Sequence, residues 1–218
     1  MEKLNLDFSI KKVIETFNSK YIKKNTNKTF VPLEDEGLDS GRKTSVIILG
    51  AGEKLTGISE LSSKEILILS GEFSGNEGTF GAGTYFRIPK GRSLTLVSKQ
   101  DSQLFIKENA GVLDSEEVFI KPFSNEWHPG HGNLKVMALH SLPHDVAALV
   151  FWPAGERFAP HKHWGGEEIF VISGEFIDEH GRYPAGTWLR SPHLSSHFPF
   201  VEKDTLIMVK TGHLFDRA

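Results

Sequence analysis

The eight residues 161-HKHWGGEE-168 hold two histidines and two glutamates. In an extended segment residues i and i+2 share a face, so His161 and His163 project together. Two neutral imidazoles placed this way can reach one ion at about 2.0–2.1 Å. Glu167 has the same parity and can join them if the strand continues or turns tightly at Gly165-Gly166, whereas Glu168 has the opposite parity. His197 would have to come from another strand, after the turn at Pro192. Three imidazoles and one carboxylate suit zinc, iron, manganese, nickel or copper. A lone His-x-His is more often a surface accident. A comparison internal to the chain separates the two readings.

The chain repeats itself. Segment 50-GAGEKLTGISELSSKEILILSGEF-73 aligns without a gap on 153-PAGERFAPHKHWGGEEIFVISGEF-176, at an offset of 103 that sets Gly52 on Gly155. The same offset carries 81-GAGTYFRIP-89 onto 184-PAGTWLRSP-192 and Lys107 onto Lys210. Residues shared by the copies are candidates for fold, and residues unique to one are candidates for function. Glu168, Gly155, Gly174, Gly186 and Pro192 have identical counterparts and read as structural. His161, His163, Glu167 and His197 are matched by Ile58, Glu60, Lys64 and Leu94. Isoleucine and leucine cannot ligate, and a lysine repels a cation, so a metal site belongs to the second copy alone.

The elements that must position these residues are short β segments. EILILS and EIFVIS are Ile/Val-rich runs closed by glycine; SVIILG and AALVFW precede them, TYFRI and TWLRS follow, then SLTLVS and TLIMVK. Strands at this spacing, separated by Gly and Pro, predict a sandwich or barrel. Residues 11–24 read as one short helix or an edge strand. The sequence thus predicts an all-β chain of two domains, 1–115 and 116–218, joined through 108-ENAGVLDSEE-117.

Composition narrows the function. The chain has 218 residues, 39% of them hydrophobic, a net charge of −3 and no cysteine. Disulfides, thiolate zinc sites and cysteine nucleophiles are therefore excluded. No block of like charge suggests a nucleic-acid surface, and Lys11, Lys12, Lys20, Lys23, Lys24 and Lys28 read as a solvated face. No segment approaches membrane-spanning length, and the expectation is a soluble cytoplasmic protein. The first of the ten histidines is His128, which confines imidazole chemistry to the second half.

These residues resemble the cupin superfamily. Its first motif, G-x5-H-x-H-x3,4-E-x6-G, is met by Gly155, His161, His163, Glu167 and Gly174. Its second, G-x5-P-x-G-x2-H-x3-N, is met by Gly186, Pro192 and His197, with Leu194 in place of glycine and Val201 in place of asparagine. The resemblance covers both copies and implies two tandem cupin domains, each a double-stranded β-helix or jelly-roll barrel, the first degenerate and without metal ligands. More narrowly, 127-WHPGHGNLKVMAL-139, residues 161–192, the Ser196-His197 pair and 7-DFSIKKVIET-16 resemble the cupin domain of ChrR-type anti-sigma factors. That family implies a sensory or regulatory module with one metal ion per chain, zinc first and iron, manganese or nickel as alternatives. It also implies His161, His163, Glu167 and His197 as the ligands. ChrR-type proteins grip a sigma factor with a separate cysteine-containing zinc domain; this chain has no cysteine and its N-terminal half reads as a second cupin, which argues against sigma-factor binding.

Three classes of function follow: a regulatory metal-binding module, a metalloenzyme such as an Fe(II)-dependent dioxygenase acting on a small diketone or phenolic ketone, and a storage or interaction protein. The partner is a small molecule or a protein, neither nucleic acid nor membrane is expected, and a homo-oligomer is compatible with the fold. No catalytic residue is assigned. His193 is placed to act as a base but reads first as a loop histidine. His128, His131, His140, His144, His180 and His213 read as surface or structural, with His180 in the hairpin turn 178-DEHG-181. Trp152 and Trp188 read as core or pocket wall, and Trp164 as a cover for the site mouth.

Overall fold

The computed structural model describes residues 3–38, 41–55, 62–76, 78–109, 118–120 and 126–214. Among these residues the regular structure is strand throughout, apart from one 3-10 turn at Thr16–Asn18. None of the described helices is long and apolar enough to cross a membrane. The chain divides into two compact units, one of residues 1–6 and 19–125, the other of residues 7–18 and 126–218.

In the second unit a seven-stranded sheet runs in the order Lys12–Glu15, Thr187–Ser191, Glu167–Ser173, Thr205–Thr211, Asp145–Trp152, Lys135–Leu142, His128–Pro129. Two short antiparallel ladders make the facing layer: His161–Lys162 with Ser196–His197, and Glu175–Asp178 with Gly181–Pro184. Alternation dictates the packing. Ala148 and Val150, Ile169 and Val171, Leu189 and Ile207 leave the sheet on one face and meet Phe176 and Tyr183 from the second ladder in one apolar core. The first unit repeats the plan with Val118–Ile120, Tyr85–Ile88, Lys64–Ser70, Ser102–Glu108, Lys43–Leu49, Lys28–Asp35 and Lys23–Lys24. Its facing layer is Gly78–Gly81, Glu72–Gly75 and Leu96–Ser98, and its core is centred on Ile66, Ile68, Phe73, Phe86 and Leu104. Both units are jelly-roll barrels.

Each compact unit includes an edge strand from beyond the expected division at 115–116. Residues 12–15 form an edge strand that pairs with Thr187–Ser191, so the N-terminal segment completes the sheet of the second unit. Conversely, Val118–Ile120 pairs with Tyr85–Ile88 and belongs with the first unit. An edge strand gains its hydrogen bonds wherever a free sheet edge is presented, and here each copy presents its edge to the strand that precedes the other. The expected joint at 110–117 lies outside the described residues. Thr205–Thr211 falls at the offset of 103 on Ser102–Glu108, so TLIMVK and SLTLVS are not counterparts.

Candidate metal site

The short ladder places His161 directly opposite His197. After His163 the chain turns through Gly165 and Gly166, both with positive φ (74° and 73°), and enters the strand Glu167–Ser173. That backbone region strongly favours glycine. A Cβ on Gly165 would collide with the backbone of Gly212, and one on Gly166 would lie 2.8 Å from Leu214 Cδ1. The turn is fastened from outside: His163 N donates to Ser195 O at 3.0 Å, Leu194 N to His163 O at 2.9 Å, and Gly165 N to His193 Nδ1 at 2.8 Å. Glu167 then shares the parity of the core residues Ile169 and Val171 and points inward, whereas Glu168 takes the opposite face.

His163, Glu167 and His197 converge, and the His161 ring lies beside the two histidines. His163 Nε2 lies 3.0 Å from His197 Nε2 and 3.4 Å from Glu167 Oε2, and His197 Nε2 lies 3.6 Å from that oxygen. Ring nitrogens of His161, His163 and His197 all fall within 4.8 Å of one another. Two donors bound to one ion at about 2.0–2.2 Å sit roughly 2.9–3.5 Å apart, between the octahedral and tetrahedral angles. The separations among His163, His197 and Glu167, 3.0 to 3.6 Å, lie close to that range. Glu167 Oε2 is buried and accepts no hydrogen bond from any described residue, a condition that costs about 1–3 kcal/mol unless positive charge is supplied.

The outer nitrogens of two rings are already oriented. His161 Nδ1 lies 3.0 Å from Ala159 O; a carbonyl only accepts, so Nδ1 carries the hydrogen and Nε2 keeps its lone pair. His197 Nδ1 faces Asp178 Oδ2 at 3.6 Å, a long contact that still directs Nε2 toward the other ligands. Asp178 is itself held by Lys11 Nζ at 2.6 Å, the Tyr183 hydroxyl at 2.8 Å, and the backbone amides of His180 and Gly181 at 2.8 and 3.1 Å. Burial would raise the Asp178 carboxyl, but the contacts with His197, Lys11 and Tyr183 outweigh it and hold the group well below the usual carboxylate range.

In the candidate ligands burial prevails. Burial pushes Glu167 up to about 7, with His197 and Lys11 opposing it only in part. Burial, then the neighbouring His197 and His161 rings, push His163 down to about 3, and burial lowers His161 as well. Both shifts have the same leading cause, the withdrawal of the donors from water. A divalent ion there would favour the carboxylate and use the lone pairs of neutral imidazoles. The residues fit such an ion.

Aromatic rings line the interior next to the ligands. Phe158 packs on His161 at 4.6 Å and Phe176 on His197 at 6.0 Å; Trp152 lies 5.9 Å from Phe158 and 5.6 Å from Phe176. Trp152 is buried, and its Nε1 has no hydrogen-bond partner among the described residues. Trp164 does not cover the site: it is 69% exposed and leans on His193 at 5.5 Å. Trp188 is fully buried and donates to Glu168 Oε1 at 2.8 Å. His140 lies 3.0 Å from Asp145, and His213 bonds Glu168. In the first unit, Ile58 and Glu60 lie outside the described residues. Lys64 is buried there, with its ammonium donating to Ser62 O at 3.1 Å and Arg92 O at 3.3 Å.

Sequence reasoning missed Asp178, Tyr183 and Lys11, and Lys11 is not part of a solvated lysine face. A signal was present for two of them. At the offset of 103, Asp178 and Tyr183 fall on Gly75 and Phe80, so both are lost together with the ligands.

Comparison with known proteins agrees with this architecture. The family model described as the ChrR Cupin-like domain matches the chain twice, over residues 10–112 and 115–215. No curated protein matches it. Among solved structures, a candidate dioxygenase from Nostoc punctiforme superposes with a TM-score of 0.73 at 14% identity, covering 95% of this chain and 84% of its own. Protein Ylba from E. coli gives 0.71 at 13% identity, covering 97% and 95%. A single-substitution variant of the oxalate decarboxylase of Bacillus subtilis gives 0.64 at 10% identity, covering 92% and 76%. At these identities the likeness establishes the fold alone. Both halves are cupin barrels.

Proposed function

We propose, for a chain that belongs to the ChrR cupin-like domain family, that the second barrel binds one divalent metal ion through His161, His163, Glu167 and His197 and works as a metal-dependent regulatory module in the cytoplasm. The observation that carries this reading is the grouping of the three ring nitrogens, with His163 and His197 facing the buried Glu167 Oε2, which has no hydrogen-bond partner among the described residues. Zinc is the proposed ion. Four protein donors fill its tetrahedral shell and leave no position for a substrate, which suits a module whose ion tunes shape rather than reacts. Its partner would be a small molecule or a protein. Sigma-factor binding is not part of the proposal, because the grip of ChrR-type proteins uses cysteine and this chain has none.

The aromatic interior favours a second reading. The same four donors on an octahedral iron ion would leave two positions for oxygen or substrate, beside the wall of Phe158, Trp152 and Phe176. A small diketone or phenolic ketone matches such a wall. Elemental analysis of protein purified without chelators, beside the His161→Ala/His163→Ala variant, decides among these. About one zinc per chain, lost in the variant, is expected. Iron, manganese or nickel, with oxygen consumption on a diketone, would replace the regulatory reading by the enzymatic one. Wild-type protein that takes up no metal even after reloading would overturn both.

A further inference from the structure

A residue far from the ligands in sequence is tied to one of them. Lys11 enters the second unit with the N-terminal segment 7–18. Its ammonium donates to Asp178 Oδ2 at 2.6 Å and to the Tyr183 hydroxyl at 2.9 Å, and it lies 5.0 Å from the centre of the Tyr183 ring. Tyr183 donates in turn to Asp178 Oδ1 at 2.8 Å. The Asp178 side chain is completely buried, and the oxygen that Lys11 holds is the one facing His197 Nδ1 at 3.6 Å. Asp178 Oδ1 meanwhile accepts the two backbone amides of its own hairpin turn. One carboxylate therefore closes a turn with one oxygen and faces a candidate ligand with the other.

The sister barrel supplies an independent observation. It keeps the hairpin, with Gly75 paired to Gly78 where the second copy pairs Asp178 to Gly181. Yet Asp178, Tyr183 and His197 are replaced there by Gly75, Phe80 and Leu94. The turn does not need the carboxylate, and the core does not need the hydroxyl. Both are present only in the copy that has the ligands.

We infer that Lys11 is a positioning residue for the metal site: it pins Asp178, and Asp178 orients the His197 ring so that Nε2 faces the ion. The inference rests on the metal-binding reading above. A carboxylate behind a ligating imidazole fixes ring orientation, and loss of such a partner typically weakens metal binding about 10- to 100-fold. The N-terminal segment is thus part of the site as well as of the sheet.

The test uses the full chain, stripped of metal and titrated with cobalt(II), whose visible absorption reports coordination as well as affinity. Lys11→Met and Asp178→Asn should each weaken cobalt binding about 10- to 100-fold and alter the spectrum. The double variant should bind no worse than Asp178→Asn alone, because Lys11 acts through Asp178. Cobalt affinity of Lys11→Met within about threefold of wild type, or effects that multiply in the double variant, would overturn the inference. Should Lys11→Met fail to fold, Lys11→Gln, which keeps a polar end but removes the charge held against Asp178, replaces it. That variant should bind several-fold more weakly, and unchanged affinity would be equally fatal. Wild-type protein that takes up no cobalt would overturn the metal reading itself, whereas wild-type binding with an unaffected Lys11→Met overturns only the role of Lys11.

Discussion

Replacing Glu167 by glutamine should stabilise the metal-free protein while weakening the metal-bound one. In the folded chain burial raises Glu167 from its ordinary 4.5 to about 7. The folded state therefore holds a proton that the unfolded state has released between those values, and stability falls as pH rises through that window. About 2.5 pK units at 1.36 kcal/mol each give roughly 3 kcal/mol of destabilisation, fully developed above pH 7. Glutamine cannot ionise. Glu167→Gln should thus gain up to about 3 kcal/mol at pH 8 but less than about 1 kcal/mol at pH 5, where the folded carboxyl is already neutral.

His163 works in the other direction. It is lowered from 6.5 to about 3, so the unfolded state binds the extra proton and stability rises with pH across that range. In the wild-type apoprotein the two groups largely offset each other between about pH 4.5 and 6.5, and removing Glu167 exposes the His163 slope. The assay is urea denaturation of chelator-stripped protein followed by tryptophan fluorescence. All four tryptophans, Trp127, Trp152, Trp164 and Trp188, lie in the second unit, so the signal reports that barrel alone. In saturating zinc the order should reverse, since wild type gains about 4 kcal/mol at a thousandfold excess over Kd and the variant has lost a donor. A Glu167→Gln apoprotein less stable than wild type at pH 8, or a gain independent of pH, would refute the reasoning.

Two further substitutions test the loops that carry the ligands. Leu194 holds φ at 63° where the motif has glycine, and its side chain is 45% exposed. Leu194→Gly should relieve roughly 1–2 kcal/mol of backbone strain, less about 0.5–1 kcal/mol of glycine entropy, and so raise the melting temperature by about 2 °C without loss of metal affinity. Gly165→Ala should do the reverse, because a Cβ there meets the backbone of Gly212 and φ is already positive. Thermal unfolding should show a loss above about 2 kcal/mol, and zinc titration should show weaker binding as Glu167 shifts relative to His163.

The inward set was legible in the sequence because it depends on local parity. His161 and His163 alternate with Lys162, Glu167 begins a strand whose core residues are Ile169 and Val171, and two glycines between them allow the turn. The support behind that set was not legible. Lys11 and Asp178 are 167 residues apart, and no periodicity connects them. Asp178 was hidden by its other role, since an aspartate opening a two-residue hairpin is explained by the turn alone. The exchanged edge strands were hidden because Lys12–Glu15 has the alternation of any edge strand and nothing in KVIE specifies which barrel it joins.

The first barrel also shows that this fold forms without the candidate ligands. It has the same strand order as the second, yet it carries Lys64, Gly75, Phe80 and Leu94 in place of Glu167, Asp178, Tyr183 and His197. At the position of the carboxylate a buried ammonium is satisfied by two loop carbonyls, and at the position of a ligand Leu94 packs against the apolar core. A jelly roll of this sequence type therefore closes without a metal. Buried donors without a cation are costly, and the second barrel buries His163, Glu167 and His197, whereas the first has a lysine at the position of Glu167 and a leucine at that of His197. That cost has a reason only if the donors serve binding rather than folding, which is why metal loss in His161→Ala/His163→Ala should leave the tryptophan signal of a folded barrel in place.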